Sequence, residues 1–144
     1  ASESSILCPS NFTQLTISSY LADQPWRDQI ASFCDLYKVR RDAMLESLEE
    51  HFPATAQWTK PGGGFYVWVT LPPEIDTTAL MPKAIVAKVA YVPGTAFYAD
   101  GFGSWSLRLS YCYPTPERIR EGVKALGGVI KQEMASRKGF ELKG

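Results

Sequence analysis

Apolar residues recur at threes and fours through Trp26, Ile30, Phe33, Tyr37, Met44 and Leu48, skipping only the turn at Arg40-Arg41. That spacing predicts an amphipathic helix from about Pro25 to His51, roughly 40 Å long at 1.5 Å per residue. Such a helix outruns the small core expected here, so it is a candidate for contact with something outside the chain. Before it, residues 1–9 read as an irregular lead-in closed by Pro9, and Ser10 or Asn11 can cap a helix running to about Ala22. A last helix opens at Thr115-Pro116-Glu117 and stripes Ile119, Val123, Leu126, Ile130 and Met134, with Gly127-Gly128 weakening it locally and the end from Lys138 expected to fray.

Between the helices the period shortens to two. Phe65–Leu71 is rich in β-branched and aromatic residues and predicts a strand, stopped by Pro72-Pro73. Gln57-Trp58-Thr59 suits a short edge strand, and Val89-Ala90-Tyr91-Val92 another brief strand ended by Pro93-Gly94. Asp76 can cap a short helix to about Ala87, which Pro82 is expected to kink or shorten. Thr95–Gly103 is a loop whose Phe97, Tyr98 and Phe102 argue for packing. In Ser106–Cys112 alternation sends Leu107, Leu109 and Tyr111 to one face and Ser106, Arg108, Ser110 and Cys112 to the other. The order predicts an α+β fold: a two-layer domain with a small, largely antiparallel sheet of three or four strands, helices on one face, and a long helix before it.

Composition adds limits. A length of 144 residues suits a single domain, 1–144, and the 45% hydrophobic and 21% charged content is that of an ordinary globular chain. Basic and acidic residues balance at 15 each, so no global field points to nucleic acid or an anionic membrane. No apolar run approaches the roughly 20 residues that span a bilayer, and no signal-peptide pattern opens the sequence. Cys8, Cys34 and Cys112 lack metal or disulfide spacing and read as buried or half-buried thiols of a reducing compartment, with the cytoplasm as the default. His51, the single histidine, stands at a helix end and lacks a second histidine for a metal site. Arg40-Arg41 reads as a solvated face or a site for an acidic partner.

Arg108 is the candidate for chemistry. It stands mid-strand among apolar and small residues, where an uncompensated charge is costly. It either pairs with a structural acid, faces water across a one-sided sheet, or grips an anionic ligand through the parallel hydrogen bonds that guanidinium geometry favours. The triplet Gly62-Gly63-Gly64 is no phosphate loop, because it lacks a following Lys-Ser/Thr and leads into a strand. Its glycines suit close backbone approach and positive φ.

Three motifs in order carry a resemblance: Pro61-Gly62-Gly63-Gly64-Phe65-Tyr66-Val67-Trp68, Val92-Pro93-Gly94-Thr95-Ala96-Phe97, and Leu107-Arg108-Leu109-Ser110-Tyr111. With Tyr37–Pro53 before them, they resemble the C-terminal small domain of class I/II aminotransferases, the fold type I pyridoxal-phosphate enzymes. The subgroup includes 2-aminoadipate and kynurenine aminotransferases and the aminotransferase-like half of MocR-type regulators. The resemblance covers about Asn11 to Met134. It implies that Arg108 binds the α-carboxylate of an amino-acid or 2-keto-acid substrate, and that Phe97 belongs to a loop toward the active-site mouth. It also implies pyridoxal 5'-phosphate as cofactor and a homodimer in the intact protein.

The family's Schiff-base lysine, its pyridine-nitrogen aspartate and its phosphate cup have no match here. Lys60 lies in the pre-strand loop and is rejected for the aldimine role. The chain thus reads as a segment without the large cofactor-binding domain, holding no catalytic, cofactor or metal residue of its own and inactive alone. The alternatives are the effector-sensing domain of a MocR-type transcriptional regulator, or a free-standing anion-binding α+β domain. No nucleic-acid or membrane contact is expected from this segment.

Overall fold

A computed structural model describes residues 10–141 of the chain. The expected irregular lead-in at 1–9, with Cys8, and the last three residues lie outside the described residues. The chain divides into two compact units, Ala1–Asp35 and Leu36–Gly144.

In the first unit α1 spans Asn11–Asp23, and Ser10 caps it by accepting a bond from the Thr13 amide. Helix α2, Trp26–His51, begins in this unit and continues into the second. The Trp26 indole donates to the Leu21 carbonyl at 3.0 Å and the Tyr20 hydroxyl to Gln29 at 3.1 Å. Phe12, Leu15, Ile17, Ile30 and Phe33 are exposed, as is Cys34, against the expectation of a buried or half-buried thiol.

The second unit contains the sheet. Its strands are β1 (Gln57–Trp58), β2 (Tyr66–Thr70), β3 (Val92–Pro93) and β4 (Ser106–Ser110), in the spatial order β1-β2-β4-β3, each pair antiparallel. Helix α3 spans Thr77–Val86 and α4 spans Pro116–Glu141. Alternation along β2 and β4 sends Val67, Val69, Leu107 and Leu109 to one face, where they join a single buried cluster with Met44 and Leu48 of α2 and Ile119, Val123, Leu126 and Ile130 of α4. The result is the two-layer α+β arrangement, with helices on one face and the other face of the sheet left open.

Several boundaries differ from those the sequence pattern predicts. Residues 89–91 leave the sheet, so β3 is two residues long, because Tyr91 turns inward and donates its hydroxyl to the Thr77 carbonyl at 2.6 Å. Pro93 is accommodated because β3 is an edge strand, where an absent N–H breaks no ladder. Pro82 does not end α3, which continues to Val86. Its missing N–H removes the helical bond to the carbonyl of Thr78, an exposed residue. Helix α4 continues through Glu141 instead of fraying from Lys138.

The glycine pair in α4 splits into two cases. A Cβ on Gly127 would lie 2.5 Å from the His51 carbonyl oxygen at the end of α2, whereas one on Gly128 would meet nothing within 4 Å. Gly127 therefore permits the close approach of two helices. Gly127→Ala is expected to lower unfolding stability by about 1–3 kcal/mol through overpacking, although alanine is the better helix former. Gly128→Ala is expected to raise it by about 0.5–1 kcal/mol. Urea unfolding of the two variants checks the opposite signs.

Candidate functional site

The open face of the sheet is read directly from the register. Arg108 of β4 lies opposite Trp68 of β2 on one side and Val92 of β3 on the other. Tyr66 pairs with Ser110, Thr70 with Ser106, and Gln57 with Thr70. Arg108 is thus in an interior strand of a face that carries no acidic residue and no lysine. One of the possibilities left open by the sequence, an internal acid partner, can be weighed on this point. Among the described residues no carboxylate pairs with Arg108, and no hydrogen bond reaches its side chain.

Aromatic rings hold it instead. Its guanidinium carbon lies 3.9 Å from the Tyr66 ring centre and 4.5 Å from that of Phe97. Phe97 in turn stands edge-on to Trp68 at 5.3 Å, and Tyr98 lies 6.3 Å from Trp68. A ring face attracts a cation through its quadrupole without taking up its N–H donors. The Nε of Arg108 is buried with no hydrogen-bond partner; the two terminal nitrogens are not buried and are equally unbonded. Two unbonded terminal nitrogens beside an exposed aromatic surface suit a carboxylate.

The placement of Phe97 follows from the segment before it. A 3-10 helix, Gly94–Phe97, follows Pro93 directly. A Cβ on Gly94 would overlap the Gly103 carbonyl oxygen and lie 2.9 Å from Cβ of Ser106, so only glycine lets this turn seat against β4. Helix α3 braces it. Asp76 caps α3 by accepting from the Thr78 and Ala79 amides, and Thr77, fully buried, donates its hydroxyl to the Ser104 and Ser106 carbonyls. The Thr78 and Thr95 hydroxyls are 3.4 Å apart. Burial, and then the Asp76 carboxylate, push the Tyr91 hydroxyl from 10.0 up to about 12, so it remains a donor to Thr77.

A family model for aminotransferase class I and II matches residues 2–126. The chain belongs to this family. Aromatic-amino-acid aminotransferase 1 of Thermococcus litoralis is 44% identical over 134 residues, covering 93% of this chain and 32% of its own. The crystal structure of the kynurenine aminotransferase of Pyrococcus horikoshii, in complex with PMP and with KYN as substrates and KYA as products, superposes with a TM-score of 0.82 at 43% identity, over 91% of this chain and 32% of that one. An uncharacterised HTH-type transcriptional regulator of Bacillus subtilis is 33% identical over 128 residues, 89% of this chain and 26% of its own. This chain therefore spans about a third of the length of the relatives it matches.

In this class I and II aminotransferase chain the structure brings Arg108 and Phe97 into contact, as separate motifs in the sequence do not announce. Tyr66 and Trp68 complete the surround and were missed as site residues; the alternation of β2, which buries Val67 and Val69, is the signal that could have found them. Arg40 and Arg41 are half-buried and bonded within the chain, so they are not simply a solvated face. Arg40 donates to the Cys112 carbonyl, and Arg41 is bonded to Asp42 at 2.6 Å and to the Pro61 carbonyl at 3.3 Å. The Gly62–Gly64 triplet makes no close approach, and only Gly64 takes a positive φ, +84°. Lys60 is an exposed loop residue. A cleft of about 410 Å³ opens between residues 87–90 and the start of α4, and neither Arg108 nor Phe97 lines it.

An arginine kept for an internal ion pair would cost about 3–5 kcal/mol to lose its partner. Here the balance is between a cation–π contact of about 0.5–2 kcal/mol and relief of one orphaned donor worth about 1–3 kcal/mol. Arg108→Met is expected to leave the unfolding free energy within about 1 kcal/mol of the parent. Chemical denaturation of the chain measures this, and a loss of several kcal/mol would return Arg108 to a structural role.

Proposed function

We propose that this chain is the substrate-carboxylate part of a pyridoxal-phosphate-dependent aminotransferase, which moves an amino group between an amino acid and a 2-keto acid. One observation carries the reading: Arg108 stands inside a sheet with its terminal N–H groups uncommitted and no acid on its face. Both substrates of a transamination carry an α-carboxylate, so one guanidinium can hold each in turn. Two parallel N–H···O bonds from the terminal nitrogens fix the carboxylate plane, and with it the direction of the Cα–H bond, which is what reaction by orientation requires. The rings of Tyr66 and Phe97 lie against the guanidinium and shield its inner end.

The described residues do not themselves fit the cofactor. The open face carries no lysine, and every described lysine side chain is exposed in a loop or on a helix. The cofactor then belongs to the polypeptide beyond this chain, which makes up about two-thirds of each relative. Proton transfer and the carbonyl chemistry belong there as well, and a homodimer is part of the same proposal.

A second reading is favoured by the match to an HTH-type regulator, in which Arg108 would hold the carboxylate of an effector amino acid. Both readings share the anion site and differ in turnover. The enzyme reading has the higher identity behind it, 44% against 33%.

In the full-length polypeptide, Arg108→Gln is expected to lower kcat/KM about 100-fold for the amino donor and the keto-acid acceptor alike, since two charge-assisted hydrogen bonds are lost. An unchanged kcat/KM for both would overturn the proposal, and carboxylate binding without any turnover would select the regulator. Mixed with pyridoxal phosphate, the present chain alone is expected to show no aldimine absorbance. A clear band that disappears in Lys60→Arg would assign the cofactor to this segment instead.

A further inference from the structure

We infer that Phe97 is a positioning residue for Arg108: its ring, with that of Tyr66, covers the inner end of the guanidinium and leaves the two terminal nitrogens as the only donors an incoming carboxylate can reach. This rests on the reading of Arg108 given above.

The covering is specific to one nitrogen. Nε is buried and unbonded, while the terminal nitrogens are unbonded and accessible. An end-on approach is therefore open and a side-on approach through Nε is closed. Rings suit this task where an acid would not. A carboxylate beside Arg108 would hold the group equally still but would occupy the donors that the ligand needs, whereas a π face attracts the cation and leaves its edge free. An arginine without such contacts would lose much rotamer freedom when a ligand binds, and fixing it beforehand reduces that cost.

Tyr66 and Phe97 share this contact, and Phe97 is the one carried on a turn outside the sheet. It is 43% exposed, so burial in the core does not account for its position. Its backbone is nonetheless tightly determined by the Gly94 contact with Gly103 and Ser106, by the Thr78–Thr95 hydroxyl pair, and by the edge-on contact of its own ring with Trp68. An exposed side chain on a rigid seat, 4.5 Å from a guanidinium, serves that guanidinium.

The test uses the full-length polypeptide and a pair of probes, 3-phenylpropanoate and its neutral amide, with binding followed by calorimetry. Phe97→Leu is expected to weaken the carboxylate about tenfold and the amide less than twofold, and to raise KM for the amino donor more than it lowers kcat. Phe97→Tyr, which keeps a ring, is expected to restore binding to within about twofold. In an Arg108→Gln background Phe97→Leu should have no further effect. Equal weakening of acid and amide, or the same loss with and without Arg108, would mean that Phe97 touches the ligand or merely holds the fold, and would overturn the inference. Should Phe97→Leu not fold, Phe97→Met is read by the same criteria. If Arg108→Gln weakens the carboxylate and neither Phe97 variant does, the positioning role fails while the role of Arg108 stands. A parent protein that binds acid and amide alike removes both.

Discussion

A positive charge in the interior strand of a sheet must be compensated, and here the compensation is aromatic. Arg108 rests against the faces of Tyr66 and Phe97 with no carboxylate beside it among the described residues. That choice has a chemical consequence. An ion pair would have closed the site, because a guanidinium saturated by its own protein has nothing to offer a ligand. Ring faces neutralise part of the desolvation penalty while the terminal nitrogens stay unbonded.

The rest of the second unit serves to make this arrangement rigid. Leu107 and Leu109, on either side of Arg108 in sequence, point into the cluster shared with α2 and α4, so the strand cannot rotate or slip without burying the guanidinium in that core. The neighbouring Trp68 stands on a strand anchored in the same way by Val67 and Val69. On the other flank, α3 ties the start of β4 through Thr77 and braces the 3-10 helix through Thr78. The side chains that touch Arg108 are therefore exposed, but the backbone that presents them is not free to move.

The sequence disclosed much of this, because its strongest signals are local. Period-two alternation in Ser106–Cys112 identified which side chains oppose the core, and period-four spacing located the helices that cover it. Local signals failed where a distant partner decided the outcome. Arg40-Arg41 looks like a surface pair until Cys112 and Pro61 supply carbonyls 72 and 20 residues away. Gly127 looks like a weak point in a helix until the end of α2 crosses it. Val89–Val92 has strand composition, yet the bond from Tyr91 to Thr77 accompanies the loss of three residues of ladder.

Arg108 as the candidate, the face it occupies and the class I and II aminotransferase pattern around it were legible from residue types and spacing alone. Whether that arginine is free or paired could not be read there, because a strand register and a turn decide it. Tyr66 comes from the strand across, and Phe97 comes from a turn 11 residues earlier that glycine alone allows to close. A one-dimensional pattern records which way a side chain points, while only the folded chain determines what it meets.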